Sequence, residues 1–333
     1  MSGSLTYLAS LREALHQAMA EDATVLALGE DILDPYGGAF KVTQGLSTRF
    51  PERVFTTPIC EASIVGMSVG LALRGYRPVA EIMFGDFVTL AADQLINHAA
   101  KYPAMYNGQV QAPLVVRTPM GGGRGYGPTH SQSLERLFLG IPHLHVVAAS
   151  HWHDAGALLR AAIADPVPVL FVENKLLYPV ALELQTAWAG TDGERYPTVL
   201  ARNFSGDAAP DVTIIGYGGA SRLLAALLPR LAAEEIRVLA CLPALISPLH
   251  AAPLVAAAAA SGRVLVVEES QSAFGWGAEV AALLSAALPE RLAAPVRRLG
   301  AAPTVIPAAK ALEDALLLSA AAIEQAVIEL LSA

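Results

Sequence analysis

The segment Thr57-Pro58-Ile59-Cys60-Glu61-Ala62-Ser63-Ile64-Val65-Gly66 places one carboxylate at the first turn of an apolar helix. Glu61 has two readings. An acid at a helix N terminus is favoured by the macrodipole and needs no further role. An acid entering an otherwise apolar helix can also be kept partly buried to handle a proton. The pairs His143/His145 and His151/His153 could be metal ligands, because residues i and i+2 on a strand point to one side. Apart from Asp154, which follows His153, no third ligand or acidic companion stands near them in sequence, so packing or surface roles are the simpler reading. Three glycine clusters invite a nucleotide reading, but none has the spacing of the dinucleotide fingerprint. The required third glycine falls at Ser221 after Gly216 and Gly218, at Pro128 after Gly123 and Gly125, and at Val280 after Gly275 and Gly277. The P-loop lysine pattern and His-Glu-x-x-His are missing too. Spacing alone therefore names no self-sufficient site.

The elements that must position Glu61 follow a regular rhythm. Leu5, Leu8, Leu11, Leu15, Ala18 and Met19 recur at helical spacing, and Thr24–Leu28 reads as a strand. A helix is predicted over Glu61–Arg74, with Gly75 as its stop, and a strand over Pro78–Phe84. A helix over Asp86–Lys101 and a strand over Pro113–Arg117 follow, then a glycine-dense loop, Gly121–Gly127. Strand Leu144–Ala149, helix His153–Ala164 and strand Pro168–Glu173 continue the series. From about Tyr178 to Pro210 the rhythm is lost among Trp188, Gly190, Gly193, Pro197 and Gly206. It resumes with strands at Asp211–Gly216, Ile236–Cys241, Arg263–Glu268 and Pro295–Leu299, separated by alanine-rich helices and closed by one long helix over Lys310–Leu331. Strands alternating with such helices predict an α/β fold with mostly parallel sheets covered by helices. The expected organisation is a first domain over 1–180, a connection over 181–209 and a second domain over 210–333.

Bulk properties narrow the class. The chain has 333 residues, 54% hydrophobic and 16% charged, enough for two cores and too apolar for disorder. A net charge of −8 argues against a nucleic-acid partner. Cys60 and Cys241 form no Cys-x-x-Cys pair and are expected to be buried thiols in a reducing cytosol. The first fifteen residues show no basic leader followed by an apolar block, and no uncharged run approaches a membrane span, so a cytoplasmic protein without a membrane role is expected.

A longer series of short blocks carries a family resemblance. Leu28-Gly29-Glu30-Asp31, Gly37-Gly38-Ala39-Phe40-Lys41, Thr57-Pro58-Ile59 with Glu61, Arg77-Pro78-Val79-Ala80-Glu81 and Asp93-Gln94 come first. Thr129-His130-Ser131-Gln132-Ser133, Asp165-Pro166, Val267-Glu268-Glu269 and Gly277-Ala278-Glu279 complete the series. In order and spacing, over almost the whole chain, they resemble the beta subunits of thiamine-diphosphate-dependent 2-oxo acid dehydrogenases that handle pyruvate, branched-chain 2-oxo acids or acetoin. The resemblance implies a pyrimidine-binding domain followed by a transketolase C-terminal-like domain. It makes Glu61 the acid that hydrogen-bonds the cofactor's aminopyrimidine, where a proton on the ring nitrogen turns the exocyclic amine into an internal base.

Other roles are implied in the same way. Phe87 matches an aromatic position packed on the pyrimidine, although a core aromatic at a helix start is its plain alternative. Met83 stands at a cofactor-binding position where many relatives have glutamine. His130 matches a histidine that faces the substrate, where an imidazole can move a proton near neutral pH; a loop histidine on a turn is the alternative. Leu114, Ala162, Ile163, Asp165 and Val167 match a potassium site built mainly from backbone carbonyls. The family's diphosphate and magnesium are gripped by an alpha subunit through Gly-Asp-Gly, a motif missing here, so an alpha2-beta2 heterotetramer is implied. The implied reaction decarboxylates a 2-oxo acid and passes the acyl unit to a lipoyl group on an acyltransferase.

The pattern is broken at Met83, in Phe274-Gly275-Trp276-Gly277 where the family has Gly-Gly-Phe-Gly, in Cys241-Leu242-Pro243 where it has Asp-Leu-Arg, and in Pro307-Ala308-Ala309 where it has Pro-Phe-Ala. Three of the four lie in the second half, which in relatives helps dock the acyltransferase. This motivates the expectation of an acceptor other than a standard lipoyl complex. A thiamine-dependent carboligase and a non-catalytic scaffold for an alpha-type subunit are the alternatives.

Overall fold

A computed structural model describes residues 5–184 and 195–332. The strands are β1 (Val25–Gly29), β2 (Val54–Thr56), β3 (Arg77–Glu81), β4 (Val115–Met120), β5 (His145–Ala148) and β6 (Val169–Asn174), then β7 (Thr198–Arg202), β8 (Val212–Ile215), β9 (Val238–Pro243), β10 (Leu245–Ser247), β11 (Val264–Gln271) and β12 (Arg297–Ala301). They form a seven-stranded sheet, β10-β5-β6-β4-β3-β1-β2, and a five-stranded sheet, β12-β11-β8-β9-β7. Each is parallel except at one edge, where β10 pairs antiparallel with β5 and β7 antiparallel with β9. The interior strands β4, β6 and β8 are buried along their full length. Their near-continuous apolar runs are what helices on both faces demand. The α/β class read from the alternation is the one observed.

Several elements differ from the sequence pattern. Asp86–Lys101 is a 3-10 turn over Gly85–Ala91 and a π-helical turn over Gln94–Ala99 rather than one α-helix. Asp86 is buried there, and its Oδ1 accepts hydrogen bonds from the backbone and side chain of Gln132, a tertiary contact that periodicity does not register. The last helix is two, Lys310–Leu316 and Ala320–Leu331, the second restarted by the Ser319 hydroxyl, which accepts from the Ala322 amide. The expected connection carries β7, and β2 and β10 have only three residues each, too few to show a period. Trp188, Gly190 and Gly193 of that connection lie outside the described residues. β10, from the second half of the chain, completes the edge of the first sheet.

One charged group sits at the heart of the first sheet. Arg117 on β4 stands directly opposite Glu81 on β3 and is 1% exposed. Its Nε and Nη2 donate to Glu173 of β6 at 2.7 and 2.6 Å, its Nη1 donates to Glu81, and the Tyr178 hydroxyl donates to Glu173 at 2.7 Å. Burial opposes the guanidinium charge, yet the carboxylates of Glu173 and Glu81 hold its proton more tightly than usual. Removing one partner from such a group leaves uncompensated buried charge. Arg117→Met is therefore expected to cost about 3–5 kcal/mol in urea unfolding. A loss under about 1 kcal/mol, within the range of an exposed pair, would contradict this account.

Candidate active site at the strand ends

Parallel α/β sheets bind ligands beyond the carboxyl ends of their strands. The chemistry-bearing residues gather at that edge of the first sheet. Glu30 follows β1 directly, and Glu61 opens the helix Glu61–Leu73 after β2. Both side chains are buried. One oxygen of Glu30, Oε1, is buried without a partner among the described residues. Burial, then the charges of Glu61, Asp31 and Glu81, pushes the Glu30 carboxyl up to about 7. Two neighbouring carboxyls, one of them titrating near neutrality, can hold or release a proton at physiological pH. In the sequence Glu30 belongs only to one of the blocks that carry the family resemblance; its nearness to Glu61 depends on β1 and β2 pairing in parallel.

The next strand ends supply an aromatic wall and a histidine. After β3, the half-buried Phe84 and Phe87 meet the His130 ring edge-on at centroid distances of 4.7 and 5.2 Å. Phe87 also packs on the core that contains Ile64 and Val65 of the Glu61 helix, as the plain reading of a core aromatic expects. Met83 is half-buried in the bend after β3. His130 sits on the loop after β4, with Thr129 Oγ1 3.0 Å from its Nδ1. Lys175, fully buried just after β6, donates to the His130 carbonyl. Burial pulls the Lys175 ammonium down to about 8, and its Nζ lies 5.2 Å from the Phe84 ring centre. Nothing in the sequence singled out Lys175 or Phe84. The structure thus brings Phe87 and His130 into contact, and it places Glu61 beyond the end of β2, separated from β3 in the sheet by β1.

Leu114, Ala162, Ile163, Asp165 and Val167 lie at the opposite edge of the sheet, near the starts of β3, β4 and β6. Arg77 Nη1 donates to the Ile163 and Asp165 carbonyls, at 2.7 and 3.3 Å. The Leu114 and Ala162 carbonyls accept from the amides of Val169 and Asp165. A potassium ion there would use second lone pairs beside a fixed guanidinium. The Asp165 carboxylate is taken by His145, the Tyr196 hydroxyl and the Val167 amide, interactions that hold it below the usual carboxylate range against the effect of burial.

The histidine pairs divide. His145 pairs with Asp165, while His151 lies 2.7 Å from Ser221 Oγ and 3.5 Å from Glu183, so acidic companions distant in sequence are close in space. Among the described residues no group of three potential ligands could hold a metal. Cys241 is buried, which pushes its thiol up to about 12, but Cys60 is exposed, contrary to expectation. It occupies the N-cap position of the Glu61 helix without a side-chain capping bond, and its Sγ lies 3.0 Å from Ser63 Oγ.

The broken motifs have distinct places. Ala308 lies against the glycine loop that carries His130, where a Cβ on Gly127 would meet its Cβ at 3.5 Å. That departure bears on the site loop. Phe274 is 95% exposed with φ +55°, and Trp276 is buried, donating from Nε1 to the Ile246 carbonyl at 3.0 Å.

A carboxyl raised by burial binds its proton more tightly folded than unfolded, so its stabilising share is full below the ordinary range, about 4.5, and lost as pH rises through about 7. Glu30→Gln, which is always neutral, is expected to raise the melting temperature more at pH 8 than at pH 5. Thermal melts showing the same difference at both values would refute the buried-acid account of Glu30.

Residues 3–180 match the family described as transketolase, pyrimidine binding domain, and residues 206–323 the family described as transketolase, C-terminal domain. The chain is 36% identical over 298 residues to the pyruvate dehydrogenase E1 component subunit beta of Acholeplasma laidlawii, covering 89% of each chain. It is 34% identical over 329 residues to the 2-oxoisovalerate dehydrogenase subunit beta of Bacillus subtilis, covering 98% of each. It is 33% identical to the acetoin:2,6-dichlorophenolindophenol oxidoreductase subunit beta of the same organism, covering 97% of this chain and 96% of that one. A solved structure titled as a split gene transketolase, inactive beta4 tetramer, shares the fold at TM-score 0.75 with 21% identity over 99% of both chains. No described helix is long and apolar enough to cross a membrane. With both domain matches and these relatives spanning nearly its full length, the chain belongs to the transketolase-like family of 2-oxo acid dehydrogenase E1 beta subunits.

Proposed function

We propose that this chain supplies the pyrimidine half of a thiamine-diphosphate site in an alpha2-beta2 heterotetramer, and that the assembled enzyme decarboxylates a 2-oxo acid. The observation that carries the reading is the carboxyl pair at the sheet mouth: Glu61, buried at the first turn of its helix, beside Glu30 with its unpartnered Oε1. An aminopyrimidine offers the donors and acceptors such a pair lacks, so the residues fit the cofactor. Glu61 would hold a proton at the ring nitrogen, with Phe87 and Met83 against the ring. Bound thiamine diphosphate supplies the electron sink that decarboxylation needs.

The chain's own groups do the rest. The aromatic wall of Phe84 and Phe87 excludes water beside His130. His130 moves a proton at the substrate oxygen, its backbone pinned by Lys175. The diphosphate and its magnesium fall to the alpha partner, because Gly-Asp-Gly is missing from this sequence. Leu114, Ala162, Ile163, Asp165 and Val167 would hold potassium through their backbone carbonyls at the far edge of the sheet. The acyl unit passes to a lipoyl group on an acyltransferase.

The test is carbon dioxide release from a panel of 2-oxo acids by the chain co-expressed with an alpha-type subunit, with thiamine diphosphate, magnesium and an artificial electron acceptor. Glu61→Gln is expected to lower turnover by at least about 10²-fold, and His130→Ala by about 10²-fold with cofactor affinity retained. The chain alone should release nothing. A folded, cofactor-saturated pair that decarboxylates none of the panel would overturn the reading. Release that is coupled to a carbon–carbon bond with an aldehyde, and never to a lipoyl acceptor, would replace the dehydrogenase with a carboligase.

A further inference from the structure

The loop after β4 carries His130, yet it is the stretch of the site least able to hold its own shape. Gly121, Gly123, Gly125 and Gly127 all have positive φ, between +70° and +92°. A backbone this rich in glycine has the most conformational freedom to lose, so its order must come from outside. Two side chains provide it. From the first sheet, Lys175 donates to the His130 carbonyl, and Arg124 Nη2 of the loop donates back to the Lys175 carbonyl at 2.9 Å. From the second half of the chain comes Glu313, in the helix Lys310–Leu316.

Glu313 is fully buried and reaches across to the loop. Its Oε1 accepts from the Gly123 amide at 2.8 Å and its Oε2 from the Gly125 amide at 2.7 Å. A carboxylate taken out of water is costly unless its oxygens are bonded, and here each oxygen receives an ideal backbone donor. The approach leaves no room for a side chain at Gly122, where a Cβ would stand 2.8 Å from Leu317 and 3.0 Å from Glu313 Oε1. Alternate amides of one loop, bridged by the two ends of a single carboxylate, are fixed in both position and direction.

We propose that Glu313 is a positioning residue, a clamp by which the C-terminal domain holds the glycine loop and so sets where His130 points. The catalytic half of this statement rests on the role given to His130 above; the clamp itself does not. It makes the second domain a part of the active site rather than only a docking platform.

The test compares Glu313→Gln, Glu313→Asp and, as a control, Glu324→Gln in the complex with the alpha-type subunit. Glu324 pairs with Arg230 on the exposed side of the C-terminal domain. Hydrogen exchange of the peptide covering 121–130 reads the clamp; kcat/KM for the 2-oxo acid and affinity for thiamine diphosphate read its consequence. A glutamine offers one acceptor and turns an N–H toward an N–H. Glu313→Gln is therefore expected to speed loop exchange and lower kcat/KM by about tenfold or more, with thiamine diphosphate affinity changed less than about twofold. Glu313→Asp, which keeps both acceptors, should restore part of each, and Glu324→Gln should alter neither. Unchanged loop exchange in folded Glu313→Gln, or equal loosening by Glu324→Gln, overturns the clamp. Faster exchange with unchanged kcat/KM overturns the positioning role. If Glu313→Gln fails to fold, Glu313→Asp is read against wild type by the same two measurements and the same criteria. If the wild-type complex decarboxylates nothing, the proposed function fails, and exchange still decides the clamp.

Discussion

The first sheet depends on a charge it cannot afford to lose. Arg117 lies in the interior between two carboxylates from the neighbouring strands, and its fork satisfies Glu173 with two parallel bonds while a third nitrogen takes Glu81. Buried ion groups of this kind are weak contributors to net stability, since desolvation offsets much of the attraction. What they impose is registry. Glu81 and Glu173 lie at the carboxyl ends of β3 and β6 and Arg117 midway along β4, so the network fixes the relative heights of the strands that deliver Phe84 and Phe87, the His130 loop and Lys175. A slip of one residue would break the network and displace all three together.

Above that fixed edge, the site is assembled from groups whose environments shift their proton affinities in useful directions. Glu30 is raised toward neutrality by burial and by the acids around it, and Lys175 is lowered by burial to about 8. Neither shift would arise on an exposed loop. Both follow from burial at the strand ends, and perturbed groups gathered in one place mark a candidate functional site.

The second half of the chain contributes more than a platform. β10 finishes the first sheet, Ala308 rests on the glycine loop and Glu313 bonds two of its amides. The motif departures in this half consequently divide. Phe274 is exposed and Trp276 fills the core beside Tyr217, so those changes alter surface and packing, whereas Ala308 touches the loop that carries His130. Sequence distance from Glu61 is a poor guide to distance from the candidate site.

The sequence by itself determined the α/β alternation, the two-part layout, the acid at the first turn of the Glu61 helix and the family to which the blocks belong. These are local signals: apolar runs, helical spacing and short motifs survive being read one segment at a time. The tertiary structure alone decided which residues meet. Glu30 joins Glu61 because β1 and β2 pair in parallel, and the acidic companions of His145 and His151 lie 20 and 32 residues away along the chain. The 3-10 and π turns after β3 accompany Asp86, which is drawn inward to Gln132, and Cys60 is exposed at the N-cap position of its helix. Lys175 and Glu313 look like ordinary charges in the sequence, and only burial against a glycine-rich backbone gives them work, because a charge removed from water must find its partners in the fold.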